Sequence, residues 1–187
     1  METPKLERYL NMFASAIVRQ SKINMANSVD AKGKKRGTTA VGSSISSEVT
    51  KEGNGYSIKF YMLDYGEFLD KGVSGNKVLR SYTDYNLQTS PSPYRYTNRQ
   101  PPPDILSRWV KKKGIKPKGL GRGRDKKTGQ FISNLAFLIG KKIKMRGIPS
   151  ISFFSTPVGV NYKKLQEELL DDFTEDVTTY LTTFYRP

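Results

Sequence analysis

The sequence predicts an α+β fold: an N-terminal helix, an antiparallel β-hairpin or small sheet packed by helices, and long basic and Tyr/Pro-rich loops. Three patterns carry that prediction. Apolar residues recur every three to four positions over residues 4–29, alternation runs through Gly55–Leu63, and a helical stripe returns over Asn161–Tyr185. A chain of 187 residues is most simply one domain, 1–187, here with extended loops near 30–43, 76–103 and 111–130.

In the first helix Leu6, Tyr9, Leu10, Phe13, Ile17, Gln20, Ile23 and Met25 form the expected inward stripe, and Pro4 suits a first turn. Asp30–Ala40 has four basic residues and no core-forming side chain, so it reads as a mobile, solvated loop. A short strand over Ser44–Thr50 and the alternating strand Gly55–Leu63 flank the turn Glu52-Gly53-Asn54-Gly55. Asn76–Pro103, with five prolines and four tyrosines, shows no period and reads as a long functional or interfacial loop. Asp104 is placed to cap a helix over Ile105–Lys113 with Ile105, Leu106, Trp109 and Val110 inward. Lys111–Gly129 reads as a second basic loop. Phe131, Leu135, Leu138, Ile139 and Ile143 mark a further helix that Gly147 and Pro149 end. Ile148–Pro157 is a buried connector. In the final helix Leu165, Leu169, Phe173, Val177, Leu181 and Phe184 share a face.

Composition removes whole classes of chemistry. There is no cysteine and no histidine, so thiolate nucleophiles, disulfides and the commonest zinc ligands and general base are missing. The expectation is a protein that is not an enzyme and needs no cofactor or metal. No run of apolar residues reaches membrane-spanning length, and no membrane partner is expected. The net charge of +15 points to an anionic partner. Residues 108–146 hold fourteen Lys and Arg against one acid, Asp125, whereas residues 161–187 hold three basic residues and six acids. The chain has a basic middle and an acidic tail.

The stretch Leu63–Gly75, LDYGEFLDKGVSG, offers Asp64, Glu67 and Asp70 at a spacing that a magnesium nuclease would use. The competing reading is a corner pinned to the sheet by Tyr65, Phe68 and Leu69, its acids facing solvent or a neighbour. GLGRGRDKKTG lacks both the preceding strand and the Lys-Ser/Thr ending of a phosphate-binding loop. Lys111, Lys112, Lys113, Lys116, Lys118, Arg122, Arg124, Lys126 and Lys127 are candidates for contact with DNA or with an acidic partner. Tyr82, Tyr85, Tyr94 and Tyr96, near Arg80, Arg95 and Arg99, suit either base stacking or a protein interface.

Two segments taken together resemble the tail-completion (neck, head–tail joining) proteins of tailed bacteriophages. Tyr65-Gly66-Glu67-Phe68, with Gly72 following, is similar to that family's Y-V-E-F-G-T corner after the hairpin. IPSISFFSTPV is similar to its P-x-R-P-F-L-x-P-A element before the last helix. Gly66 replaces an apolar residue and the arginine is missing. The style also resembles neck-ring proteins of crAss-like phages. The resemblance implies a structural virion protein that joins portal to tail and stands on the path of genome ejection. It implies a homo-oligomeric ring of about twelve subunits closed by head-to-tail contacts, with portal and adjacent neck or tail proteins as partners. Double-stranded DNA would pass transiently through the channel. Location would be the virion head–tail interface after synthesis in the host cytoplasm. Tyr65, Glu67, Phe68, Asp70, Tyr94, Tyr96, Phe153 and Phe154 are then the expected subunit-interface residues. The rival expectation is a basic nucleic-acid-binding protein or, less favoured, a small Mg-dependent nuclease.

Overall fold

The computed structural model describes residues 4–30, 33–53, 55–112, 114–115, 122–124 and 131–168. Along the chain come α1 (Pro4–Asn27), α2 (Ala40–Ser44), β1 (Ser46–Glu52), β2 (Gly55–Tyr61) and α3 (Gly66–Lys71). They are followed by β3 (Ser81–Thr83), β4 (Thr89–Pro91), α4 (Pro103–Lys112), β5 (Arg122–Arg124), β6 (Phe131–Ser133) and α5 (Asn134–Arg146). A last helix, α6, occupies residues 155–168. The strands form three two-stranded ribbons, β1-β2, β3-β4 and β5-β6. The architecture is α+β, with an N-terminal helix and short hairpins packed against helices, as the sequence predicts.

The chain divides into two units. The first comprises Met1–Gly66, Thr83–Gln88 and Ser152–Pro187. Its core face on α1 is Ala14, Ile17, Ser21 and Met25, all essentially inaccessible. Ile17 and Met25 belong to the stripe expected from hydrophobicity, whereas Gln20 and Ile23 of that stripe are exposed and Ala14 and Ser21 are buried instead. Ala14 and Ser21 alternate with the bulkier Ile17 and Met25 along this face, where small side chains let neighbouring elements approach the helix closely. Val41 and Ile45 close over this face from α2 and the residue after it. Thr39 caps α2, its Oγ1 accepting from Gly42 N at 3.0 Å.

β1 and β2 pair antiparallel with Val49 opposite Ile58 and Ser47 opposite Phe60. The alternation is obeyed: Tyr56, Ile58 and Phe60 are half-buried, while Lys59 and Tyr61 face water. The outward face is stapled by Lys59–Glu52 at 3.0 Å and by Tyr61 donating to Glu48 at 2.9 Å. Phe60 meets Phe154 edge-on, with centroids 5.3 Å apart. Phe153 is fully buried, Ser155 and Pro157 likewise. Burying one such phenyl is worth about 1.5–3 kcal/mol. Helix α6 begins at 155 rather than 161, inside the expected connector; the stripe beyond Leu165 lies outside the described residues.

The basic segment after α1 is exposed, as expected, but it is not free. Arg36 N and Gly37 N donate to Ser28 O and Ala26 O at 2.9 and 3.0 Å, and Lys34 N donates to Asp30 Oδ1 at 3.0 Å. Local backbone bonds, invisible to composition, tie it to the end of α1.

The second unit comprises Glu67–Tyr82 and Thr89–Ile151. Its centre is the segment Gly72–Gly75, buried throughout. Val73 exchanges two backbone bonds with Ile148, at 2.9 and 2.8 Å, and Ser74 bonds Tyr94 O and Tyr96 N at 2.8 Å each. A short run of chain is thereby paired on both sides. Helices α4 and α5 pack against each other. α4 starts at Pro103, so Asp104 lies inside the first turn and pairs with Arg108 at 3.2 Å instead of capping. Val110 is buried, but Ile105 and Trp109 are exposed, against expectation. Phe131 belongs to a strand, β6, whose partner β5 lies within the stretch read as a loop.

Candidate functional site

The corner LDYGEFLDKGVSG is where strand, helix and buried crossing succeed one another. After β2 the chain turns, Gly66 N donating to Leu63 O at 2.7 Å, and Leu63 N is held by Ser44 Oγ at 3.1 Å. α3 then presents Glu67 and Phe68 to solvent while Asp70 turns inward, 2% exposed. Gly72 carries φ +70°, and the chain dives into the crossing. Ser92 Oγ donates to Gly72 O at 2.8 Å, and Ile151 N donates to Leu69 O at 2.9 Å.

Within the second unit the sequence-predicted residues Glu67, Phe68 and Tyr94 converge. The Phe68 ring meets the Tyr94 ring edge-on at 4.6 Å. Lys71 Nζ donates to Glu67 Oε1 at 2.8 Å across one helical turn. The Lys71 bond first, and the Tyr94 hydroxyl second, hold the Glu67 carboxyl below the usual carboxylate value. The same Glu67 bond pushes the Tyr94 phenol up. Tyr96 is half-buried and its phenol is also pushed up, by burial alone. The result is a pre-ordered patch: an acid, a cation and two rings whose rotamers are fixed by one another while the outer faces remain accessible.

Several expected interface residues are corrected. Phe153 and Phe154 are core residues, 0% and 9% exposed, because the proline-aromatic element packs inward against the hairpin. Asp70 is buried because it adjoins the crossing, so it offers no charge to a neighbour. Tyr65 and Phe68 do not pin the corner to a core, since both stay more than 40% exposed. The true anchors are backbone bonds and the glycines of the crossing. Gly75 and Gly147 admit no side chain: a Cβ would stand 2.2 Å from Met145 O and 2.0 Å from Val73 O respectively.

Of the basic candidates, Lys111 and Lys112 are exposed on α4. Arg122 and Arg124 belong to β5, whereas Lys113, Lys116, Lys118, Lys126 and Lys127 lie outside the described residues. Arg80 serves structure, donating from Nε to Arg146 O at 2.9 Å. Among the described residues no three carboxylates gather as a metal site would require. Nor is any helix there long and apolar enough to cross a membrane. An open groove of about 330 Å³ in the first unit, between α1 and α6, is lined by Arg19, Gln20, Asn24, Thr156, Asn161 and Lys164, with no carboxylate among its lining residues. Sequence reasoning missed Lys71, whose spacing from Glu67 was the available signal. No family model, curated protein or solved structure matches the chain.

Proposed function

We propose that this chain is a structural subunit of a bacteriophage neck, assembling with copies of itself into a ring that joins portal to tail around the DNA channel. The observation that supports the reading best is the Glu67–Phe68–Tyr94 patch, ordered before any partner arrives. Aromatic side chains held in fixed rotamers lose little entropy on docking, which is why such residues dominate interface energetics. The resemblance of the corner to tail-completion proteins supplies the biological setting.

The test is twofold. Mass spectrometry of purified virions should contain the chain, and negative-stain images of the isolated protein or its complex with portal should show rings. Phe68→Ser should weaken ring formation by about tenfold or more while leaving the monomer folded. A chain absent from virions, or one that is monomeric and holds duplex DNA with nanomolar affinity at physiological salt, would refute the proposal and favour the nucleic-acid-binding alternative. Magnesium-dependent cleavage lost in Glu67→Ala would favour the nuclease.

A further inference from the structure

The exposed positions of α4 and α5 are both apolar and cationic. Ile105 and Trp109, one turn apart on α4, are 57% and 44% exposed, and Phe137 and Leu138 on α5 are 48% and 47% exposed. One turn beyond the latter pair stand Lys141 and Lys142, also exposed. The two helices carry seven basic residues against a single acid, Asp104, and that acid already pairs with Arg108. Phosphate chemistry accounts for the lysines but not for the aliphatic groups, since duplex backbone offers Ile105 and Leu138 nothing in return for desolvation. A protein surface that is apolar and acidic at the same spacing accounts for both.

This chain contains such a surface. Residues 165–177, LQEELLDDFTEDV, repeat an apolar–any–acid–acid block three times, LQEE, LLDD and FTED, without one basic residue. Leu165, Leu169, Phe173 and Val177 recur at the four-residue spacing that an apolar ridge on a helix requires, with doubled acids between them in the sequence. Glu168 is already engaged, accepting from the Tyr9 hydroxyl, so the proposal is built on the next pair of acids in the repeat, Asp171 and Asp172.

We propose that the acidic segment 169–177 of one copy docks on the α4–α5 face of the next. Its apolar ridge covers Trp109 and Phe137, and Asp171 and Asp172 face Lys141 and Lys142. Two different surfaces of one chain that complement each other make a heterologous contact, the kind that closes a ring. The inference deepens the neck reading by naming the contact that would build the ring, and it rests on that reading only for the ring.

The test uses the full chain in sedimentation velocity at low and high salt. Lys141→Glu/Lys142→Glu and Asp171→Lys/Asp172→Lys should each weaken self-association about tenfold or more. An equimolar mixture of the two variants should recover association, because the native segment of one meets the native face of the other and the reversed segment meets the reversed face. A chain carrying all four changes should associate again through the reversed charges. Overturning results are unchanged association in either variant, no recovery of association in the mixture (which would mean the segment closes on its own chain), or loss of oligonucleotide binding in the lysine variant with self-association intact. If the charge swap behaves as expected but virions lack the protein, the contact stands and the neck reading falls.

Discussion

Replacing Gly147 by alanine should break the second unit at its centre. Gly147 has φ +70°, a conformation that costs an alanine about 1–2 kcal/mol. Its new Cβ would stand 2.0 Å from Val73 O, a backbone atom that cannot swing aside. Restoring ordinary contact requires the Val73 strand to retreat by roughly 1.4 Å, which opens the bonds of 2.9 and 2.8 Å between Val73 and Ile148. Each such bond is worth about 1 kcal/mol, and a buried group left unpaired costs more. The sum is about 3–5 kcal/mol. Gly114 provides the control in the same unit, since its φ is +62° but a Cβ there meets nothing within 4 Å. Gly114→Ala should therefore cost only the conformational part, about 1–2 kcal/mol. Native-state hydrogen exchange at the Val73 and Ile148 amides reads the difference directly, with protection falling about 100-fold further in Gly147→Ala than in Gly114→Ala. Equal protection in the two variants would show that the crossing is not as close as described.

Two further outcomes are expected. The hydroxyl of Ser21 is fully buried on α1 with no hydrogen-bond partner among the described residues, so Ser21→Ala should be neutral or stabilising by up to about 1 kcal/mol in urea unfolding. A loss of stability would mean the hydroxyl is satisfied. The Glu67 patch should make the second unit pH-sensitive in two windows. Because the Glu67 carboxyl is depressed, its contribution is complete above its ordinary value of 4.5 and is lost as pH falls through the lower folded value. The Tyr94 phenol is raised, so its contribution is complete below its ordinary value of 10.0 and is lost as pH climbs through the higher folded value. Glu67→Gln should flatten the acidic arm of a stability-against-pH curve and cost well under 1 kcal/mol at neutral pH, the carboxylate being half exposed. An acidic arm that survives Glu67→Gln unchanged would assign it to other carboxylates.

Much of the element order was legible because periodicity reports local geometry. Alternation from Tyr56 to Met62 located β2, and its turn chemistry located the partner strand. Helix faces were less legible. On α1 Ile17 and Met25 are buried as their spacing predicts, yet Ile23 is exposed while Ala14 and Ser21 are buried, positions that size rather than apolarity decides. On α4 and α5 the same error ran the other way. Trp109 and Leu138 read as core, but the buried positions are Val110, Ala136 and Gly140, and Gly140 faces Leu106 of α4. Strand β5, with its sequence Arg122-Gly123-Arg124, has no apolar content to signal it, because its order comes from pairing with β6.

By itself the sequence determined that thiol and imidazole chemistry are absent, that charge is segregated into a basic middle and an acidic tail, and that a hairpin follows the first helix. Those properties belong to residue identity and to neighbours in the chain. Tertiary structure alone decided what the corner is. Asp70 turned inward while Glu67 stayed out, Phe153 and Phe154 became core, and Gly72–Gly75 became a buried crossing bridged to Tyr94–Tyr96 on one side and Ile148 on the other. The partners of that crossing lie about 20 and 75 residues away in sequence, and no local pattern encodes a contact whose energy depends on the backbone of so distant a segment.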